Sequence, residues 1–202
     1  MNINDFYVVV ATAEHISYAK EICEEMSSSA KKRGTGIARR NPEYVARKMM
    51  EGKAVIAFYK DGRWAGFSYI ESWEGEQYVA NSGLIINPEF RKLGLATLIK
   101  RKTFALSLKL YRGAKLFGLT TGLAVMKINS ELGYKPVTYL QLTKDDKFWK
   151  GCESCVNYEV LKMKNYTNCL CTAMIFDPKK ETSHFNIDEI LRKERFDVCD
   201  IK

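Results

Sequence analysis

Long apolar runs are missing from this chain. No stretch of its 202 residues approaches the roughly 18 consecutive apolar positions of a membrane-spanning helix, which excludes that class of protein. The start, Met1-Asn2-Ile3-Asn4-Asp5, has neither the basic opening nor the apolar stretch of a secretory leader, so the expected location is the cytoplasm. With no oxidising compartment implied, the six cysteines read as free thiols or metal ligands rather than disulfides. No internal repeat or low-complexity linker interrupts the sequence, which suits one domain, with or without an appendage. Acidic residues are absent from one place in particular. Between Arg91 and Lys115 there are eight lysines and arginines and no Asp or Glu, so this segment alone matches the net charge of +8 of the whole chain.

What is present is the composition of a soluble globular protein, 46% apolar and 28% charged, at a length that can bury a sizeable core. The stretch from Tyr78 to Leu110 organises the rest. It reads as strand, tight turn and long helix. Asn81 to Ile86 is extended and apolar, Asn87-Pro88 breaks the strand, and Leu95, Leu98, Ile99, Thr103, Leu106 and Leu110 then recur at spacings of three and four. A small-residue turn at a helix start leaves backbone N–H groups unpaired where the helix dipole adds positive charge, which makes an anion site suited to phosphate. Gly94 and Ala96 carry almost no side chain, so a pyrophosphate can approach the backbone closely.

Around this centre the chain predicts an alternation of elements. Phe6 to Ala11 is a strand, and Thr12 caps a helix with Ile16, Ala19, Cys23 and Met26 on one apolar stripe; His15 reads as a surface residue. The basic, glycine-containing stretch from Lys31 to Arg40 is a loop before a second helix that begins at Asn41-Pro42 and runs to about Glu51. Ala54 to Tyr59 and Trp64 to Ile70 form a hairpin around Asp61-Gly62, and Glu71 to Glu76 turns the chain toward Tyr78. After the long helix come a strand at Leu116 to Thr121, a helix from Ala124 to Leu132 ended by Gly133, and a strand at Val137 to Leu142. This is a mixed α/β (α+β) layout, a central mixed β-sheet flanked by helices.

Arg91-x-x-Gly94-x-Ala96, following a strand that ends in Asn-Pro-Glu, resembles the acyl-CoA-binding motif of the GCN5-related N-acetyltransferases (GNAT), and the element order over about residues 6–142 is similar to theirs. The stretches GTGIARR at 34–40, LTTGLAVMKIN at 119–129 and FWKGCESC at 148–155 are similar to stand-alone bacterial members that acylate amino acids, including those like N-acetylglutamate synthase. The resemblance implies a GNAT domain at 1–143 and an extension at 144–202, a cysteine-containing hairpin and terminal helix packed on the same domain. It implies acetyl-CoA or succinyl-CoA as donor. Backbone groups of Leu84, Ile85 and Ile86 would hold the pantetheine arm and the acyl carbonyl. Those of Lys92, Leu93, Gly94, Leu95 and Ala96 would hold the pyrophosphate, with charge from Arg91 or Lys92. Arg39 and Arg40 would bind an acceptor carboxylate. A base must take the proton of the attacking amine, and Glu71 is the first choice, with Glu74 and Glu76 behind it. Many members have a tyrosine as acid for the leaving thiolate. Aligned on Gly133-Tyr134, this chain has Asn129 there, which can hydrogen-bond the thiolate or CoA but cannot protonate it near pH 7. Tyr134 reads as packing.

Cys152 and Cys155, separated from Cys169 and Cys171 by a segment read as a strand at Val156 to Met163 and a turn at Asn165 to Asn168, could present four thiolates to a structural zinc. Otherwise they are small buried thiols. In the tail, Ile187, Ile190 and Leu191 suggest a terminal helix that docks on the domain or on a second copy in a homodimer. The first expectation for function is an N-acyltransferase moving an acyl group from acyl-CoA to a small amine, an amino acid such as glutamate. The alternatives are acylation of protein N-termini or lysines, and a non-catalytic module binding CoA or nucleic acid. Against nucleic acid, Phe104 and Tyr111 alone do not make a stacking platform, and the phosphates of CoA explain the same basic charge.

Overall fold

A computed structural model of the chain describes residues 1–180 and Glu189. Seven strands form one mixed sheet: β1 (Phe6–Val10), β2 (Ala54–Tyr59), β3 (Trp64–Trp73), β4 (Tyr78–Ile86), β5 (Lys115–Thr120), β6 (Lys135–Val137) and β7 (Thr172–Phe176), in the spatial order β1-β2-β3-β4-β5-β7-β6. β2 can be apolar throughout because both its faces are covered. Val55 and Ala57 join a core with Ile99, Phe104 and Leu106 of α3 (Leu95–Leu110). Ala54, Ile56 and Phe58 face α1 (Ala19–Arg33) and α2 (Pro42–Met50) on the other side. α2 begins as its sequence dictates, with Pro42 in the first turn and the Asn41 side chain accepting from Glu43 N–H at 2.8 Å.

Two irregularities in β4 open the sheet beside it. β4 and β5 are parallel but pair at only three positions, Tyr78 with Lys115, Val79 with Leu116 and Ala80 with Phe117. Beyond Ala80, β4 stays on β3 while β5 pairs with β7, so the two neighbours splay apart. In addition, Phe67 pairs with Ile85 and Tyr69 with Ser82, which leaves Gly83 and Leu84 opposite Ser68 alone. This bulge requires glycine: Gly83 has φ +65°, and a Cβ there would lie 2.4 Å from Tyr69 Cε1.

The segment after β6 covers one face of β5 and β7 through a third core cluster containing Phe117, Tyr139, Leu142, Trp149, Leu161 and Ala173. Here several sequence expectations are corrected. Val137 to Leu142 is not a strand; β6 ends at Val137, and Tyr139–Gln141 is a 3-10 turn whose Tyr139 hydroxyl donates to the Cys171 carbonyl at 2.9 Å. The stretch between the cysteine pairs is not half of a hairpin but a short helix (Tyr158–Met163), with Leu161 buried and Val156 and Met163 exposed. β7 takes the free edge of β5, and the stretch at 156–163 instead turns Leu161 into the third core cluster from a helix. Ile16 is exposed in a 3-10 turn ahead of α1. The expected terminal helix at Ile187, Ile190 and Leu191 lies outside the described residues. Among the described residues no helix is long and apolar enough to cross a membrane.

Candidate functional site

A cavity of about 1700 Å³ runs from the loop before α3, through the splay of β4 and β5, to the loop that follows α1. Its lining carries ten lysines and arginines against three glutamates, which fits anionic ligands.

At one end the chain turns from β4 into α3 by two left-handed residues, Lys92 at φ +64° and Gly94 at φ +84°. The helix starts on Gly94 with no side-chain cap. The backbone N–H groups from Lys92 to Ala96 make no hydrogen bond among the described residues. Among the described residues only Ile3 Cδ1, at 3.8 Å, comes within 4 Å of a Cβ built on Gly94, so the approach is open. Arg91 does not extend into this space as a free charge. Its Nε donates to the Ile86 carbonyl at 3.1 Å, and its Nη2 reaches Glu25 Oε1 at 2.9 Å and Ser29 Oγ at 2.5 Å, which tethers the turn to the end of β4 and to α1.

At the other end the side chains come from distant parts of the chain. Glu71 of β3 accepts from the Tyr44 hydroxyl of α2 at 2.7 Å and from the Ser82 hydroxyl of β4 at 2.6 Å. Arg40 donates through Nε to the Tyr69 hydroxyl and through Nη1 to the Ala38 carbonyl at 3.1 Å. Burial opposes its charge, but the Tyr69 and Glu71 oxygens more than offset this and hold its pKa above the ordinary value. Burial, then the neighbouring Glu71, pushes Tyr44 and Tyr69 up, so both hydroxyls keep their protons. Arg39 is exposed, and its backbone N–H donates to Ser154 Oγ at 2.9 Å. Gly36 packs against the same loop: a Cβ there would meet Asn157 Nδ2 at 2.4 Å and Cys155 Sγ at 2.7 Å. The segment after β6 therefore closes the wall of this end.

No family model matches the chain, and no curated protein does. Solved structures do. N-acetylglutamate synthase from Neisseria gonorrhoeae, complexed with coenzyme A and N-acetyl-glutamate, superposes at a TM-score of 0.60 with 13% identity over 85% of this chain. This chain spans only 35% of the synthase. A Mycobacterium tuberculosis protein in complex with CoA and a second ligand gives 0.60 at 15% identity, covering 85% of this chain and 98% of that one. An acetyltransferase of the GNAT family from Staphylococcus aureus gives 0.54 at 12% identity, covering 68% and 89%. This chain has the GNAT fold.

The GNAT frame brings most of the sequence candidates together. Arg39, Arg40, Glu71, Leu84, Ile85, Ile86, Arg91, Lys92, Gly94, Leu95, Ala96 and Asn129 all line the cavity. Leu93 does not line it; it packs at the edge of the core under α3. Glu74 and Glu76 stand apart: Glu74 accepts from Thr143 Oγ1 at 2.7 Å and from Lys144 N–H, and clamps the turn after β3. His15 closes a cap with Thr12, whose backbone N–H it accepts at 3.0 Å. The zinc expectation is not supported, since among the described residues no group of three or more His, Cys, Asp or Glu is placed to hold a metal. Burial pushes the thiols of Cys152 and Cys171 up to about 11 and about 12, so both stay protonated at neutral pH. Cys152 and Cys155 occupy one turn, with Cys155 N–H on the Cys152 carbonyl at 2.9 Å, while Cys169 Sγ donates to the Asn157 carbonyl at 3.7 Å. Phe104 and Tyr111 are both buried, as are Lys100 and Lys102, so α3 presents neither a stacking platform nor an unbroken basic face.

Tyr44, Tyr69, Ser82 and Lys100 are not legible as site residues in the sequence. The first three reach the site by tertiary packing and leave no local signal. Lys100 does leave one: it stands at spacings of four between Ala96 and Phe104, inside the apolar stripe of its helix.

Proposed function

We propose that the chain is an acyl-CoA-dependent N-acyltransferase with a small anionic amine, an amino acid such as glutamate, as acceptor. The observation that carries this reading is the splay of β4 from β5, which opens directly onto the five unpaired N–H groups from Lys92 to Ala96. An extended arm ending in a pyrophosphate suits that combination, since the splayed strand edge offers backbone donors and acceptors for amides and the helix start offers donors for phosphate. Acyl-CoA, as donor substrate, supplies the activated thioester. The free edge of β4 from Ser82 to Ile86 holds the acyl carbonyl, and a backbone N–H at the Gly83 bulge faces the oxyanion that forms on attack. Glu71 takes the proton of the attacking amine, directly or through a water, while Tyr44 and Ser82 hold its carboxylate in place. Arg40, whose Nη2 is not used by Tyr69 or Ala38, and Arg39 at the rim receive the acceptor's carboxylate.

The test is release of CoA thiol from acetyl-CoA and from succinyl-CoA by the purified protein, with amino acids, polyamines and short peptides as acceptors. Turnover with glutamate or another acidic amino acid, and none with polyamines, is expected. Turnover confined to peptides would replace the acceptor assignment and keep the donor site.

A further inference from the structure

Among the described residues Lys100 is a cation without a counter-charge. It is 2% exposed and lines the cavity one helical turn beyond Ala96, yet no ion pair or hydrogen bond partners it among the described residues. Its close neighbour is the Tyr134 ring, whose centre lies 5.3 Å from Nζ. A buried side-chain oxygen in the same cavity is unsatisfied. Asn129 is 1% exposed, its Oδ1 accepts nothing among the described residues, and its Nδ2 has only the Met174 sulfur at 3.6 Å. Tyr134 links the two, since its backbone N–H donates to the Asn129 carbonyl at 3.0 Å while its ring lies beneath Lys100. Its hydroxyl donates to Asn81 Oδ1 at 3.0 Å, at the first residue after β4 leaves β5. Lys100 and Asn129 therefore belong to the helix side of the splay, as an unpaired donor and an unpaired acceptor. Buried polar groups left this way are costly, and a ligand that satisfies them repays the cost.

We propose that Lys100 is the acid of the reaction: its ammonium protonates the CoA thiolate as that group leaves, and the Asn129 amide positions the sulfur. The proposal rests on the acyl-CoA reading of the cavity. The acceptor nitrogen attacks the thioester carbon and the C–S bond breaks, its electron pair remaining on sulfur. A proton passes from Lys100 Nζ to sulfur, leaving CoA thiol and a neutral lysine. Glu71 has meanwhile taken the proton of the amine, and solvent returns an equivalent proton to Lys100. An ordinary lysine would be a poor acid for this step, because its pKa near 10.4 exceeds the roughly 8.5 of a thiol. Burial alone pulls Lys100 down to about 7, so that transfer to a thiolate runs downhill. Tyr134 cannot serve instead, since burial raises its pKa and its proton is held on Asn81.

The decisive measurement is the titration of the CoA thiol bound to the protein, followed by thiolate absorbance, with desulfo-CoA as the thiol-free reference. In the wild type Lys100 loses its proton before the sulfur does, so the bound thiol should titrate no lower than free CoA. In Lys100→Arg, whose charge is permanent, the bound thiol should titrate at least one pH unit below free CoA while turnover falls at least tenfold, because arginine cannot give up the proton. A wild-type thiol lowered as far as that of Lys100→Arg means that the lysine keeps its proton beside the thiolate, and overturns the proposal. Should Lys100→Arg not fold, carbon NMR of the lysine side chains in the wild-type CoA complex decides: Lys100 must lose its proton at lower pH than the bound thiol, and a Lys100 that titrates above the thiol refutes the role. Failure of wild type to bind desulfo-CoA at all would instead sink the acyl-CoA reading, and this proposal with it.

Discussion

The two ends of the cavity are built from different materials. The end at α3 is made of backbone: two left-handed residues and, among the described residues, five unpaired N–H groups and a strand edge without a partner, all within Asn81 to Ala96. The end at the loop after α1 is made of side chains, with Arg40, Tyr44, Tyr69, Glu71, Ser82 and Ser154 drawn from five separate segments. A backbone site depends on local conformation and tolerates a change in most neighbouring side chains. A side-chain site depends on the whole core being folded and can be retuned one residue at a time. A common donor bound by the first and a variable acceptor by the second is the division of labour such an arrangement favours.

The comparison can be broken from either side. The largest effect is expected from Glu71→Gln, which keeps the Tyr44 contact but removes the proposed base; turnover should fall by roughly 10²–10⁴, with acyl-CoA affinity unchanged in a calorimetric titration. Loss of donor affinity in that variant would show that the two ends are not independent. Next comes Gly94→Glu, which places bulk and negative charge in the open space before α3. CoA affinity should weaken by at least about 100-fold, an interaction loss on the order of 3 kcal/mol, while circular dichroism shows an unchanged fold. Smallest is a stability effect at the junction of the two ends. Lys100 has a pKa of about 7 when folded and about 10.4 when unfolded. Between those values the unfolded chain holds a proton that the folded one lacks, so the stability of the ligand-free protein rises with pH, by on the order of 1 kcal/mol per pH unit. Below about pH 7 both states are protonated and the penalty of burying the charge is fully felt. Urea denaturation at pH 7 and pH 9 should show this rise in wild type, and Lys100→Met should flatten it.

The same division explains what the sequence discloses. Gly94, Ala96 and the strand–turn–helix around them carry their signal locally, in residue size, helix periodicity and the absence of acid, and the anion-site geometry follows from those alone. Arg40 and Glu71 stand out by charge, but their company does not. Nothing in the spacing of Tyr44, Tyr69 and Ser82 reports that α2, β3 and β4 bring their hydroxyls to one carboxylate or to its neighbouring guanidinium. The cysteines show the opposite error. Their spacing is compatible with four metal ligands, but it does not report that a helix at Tyr158–Met163 intervenes or that β7, a strand with no clear local signal, claims the edge of β5. Lys100 reads as surface charge because a lysine usually is, although its place in the apolar stripe argues otherwise.

β7 lies between β5 and β6, and among the described residues β6 has no other partner in the sheet. During synthesis the helix start and both strands of the splay are in hand by residue 120, while the sheet stays unfinished until residue 176 has left the ribosome. Through that interval β5 keeps a bare edge, and until residue 157 has emerged the wall that Ser154 and Asn157 give to the side-chain end of the cavity is missing. A chain truncated before residue 172 would therefore keep Arg40, Tyr44, Tyr69, Glu71 and Ser82 beside an uncompleted sheet, with any bound thioester more open to water. The last described strand completes the enclosure that the proposed transfer requires.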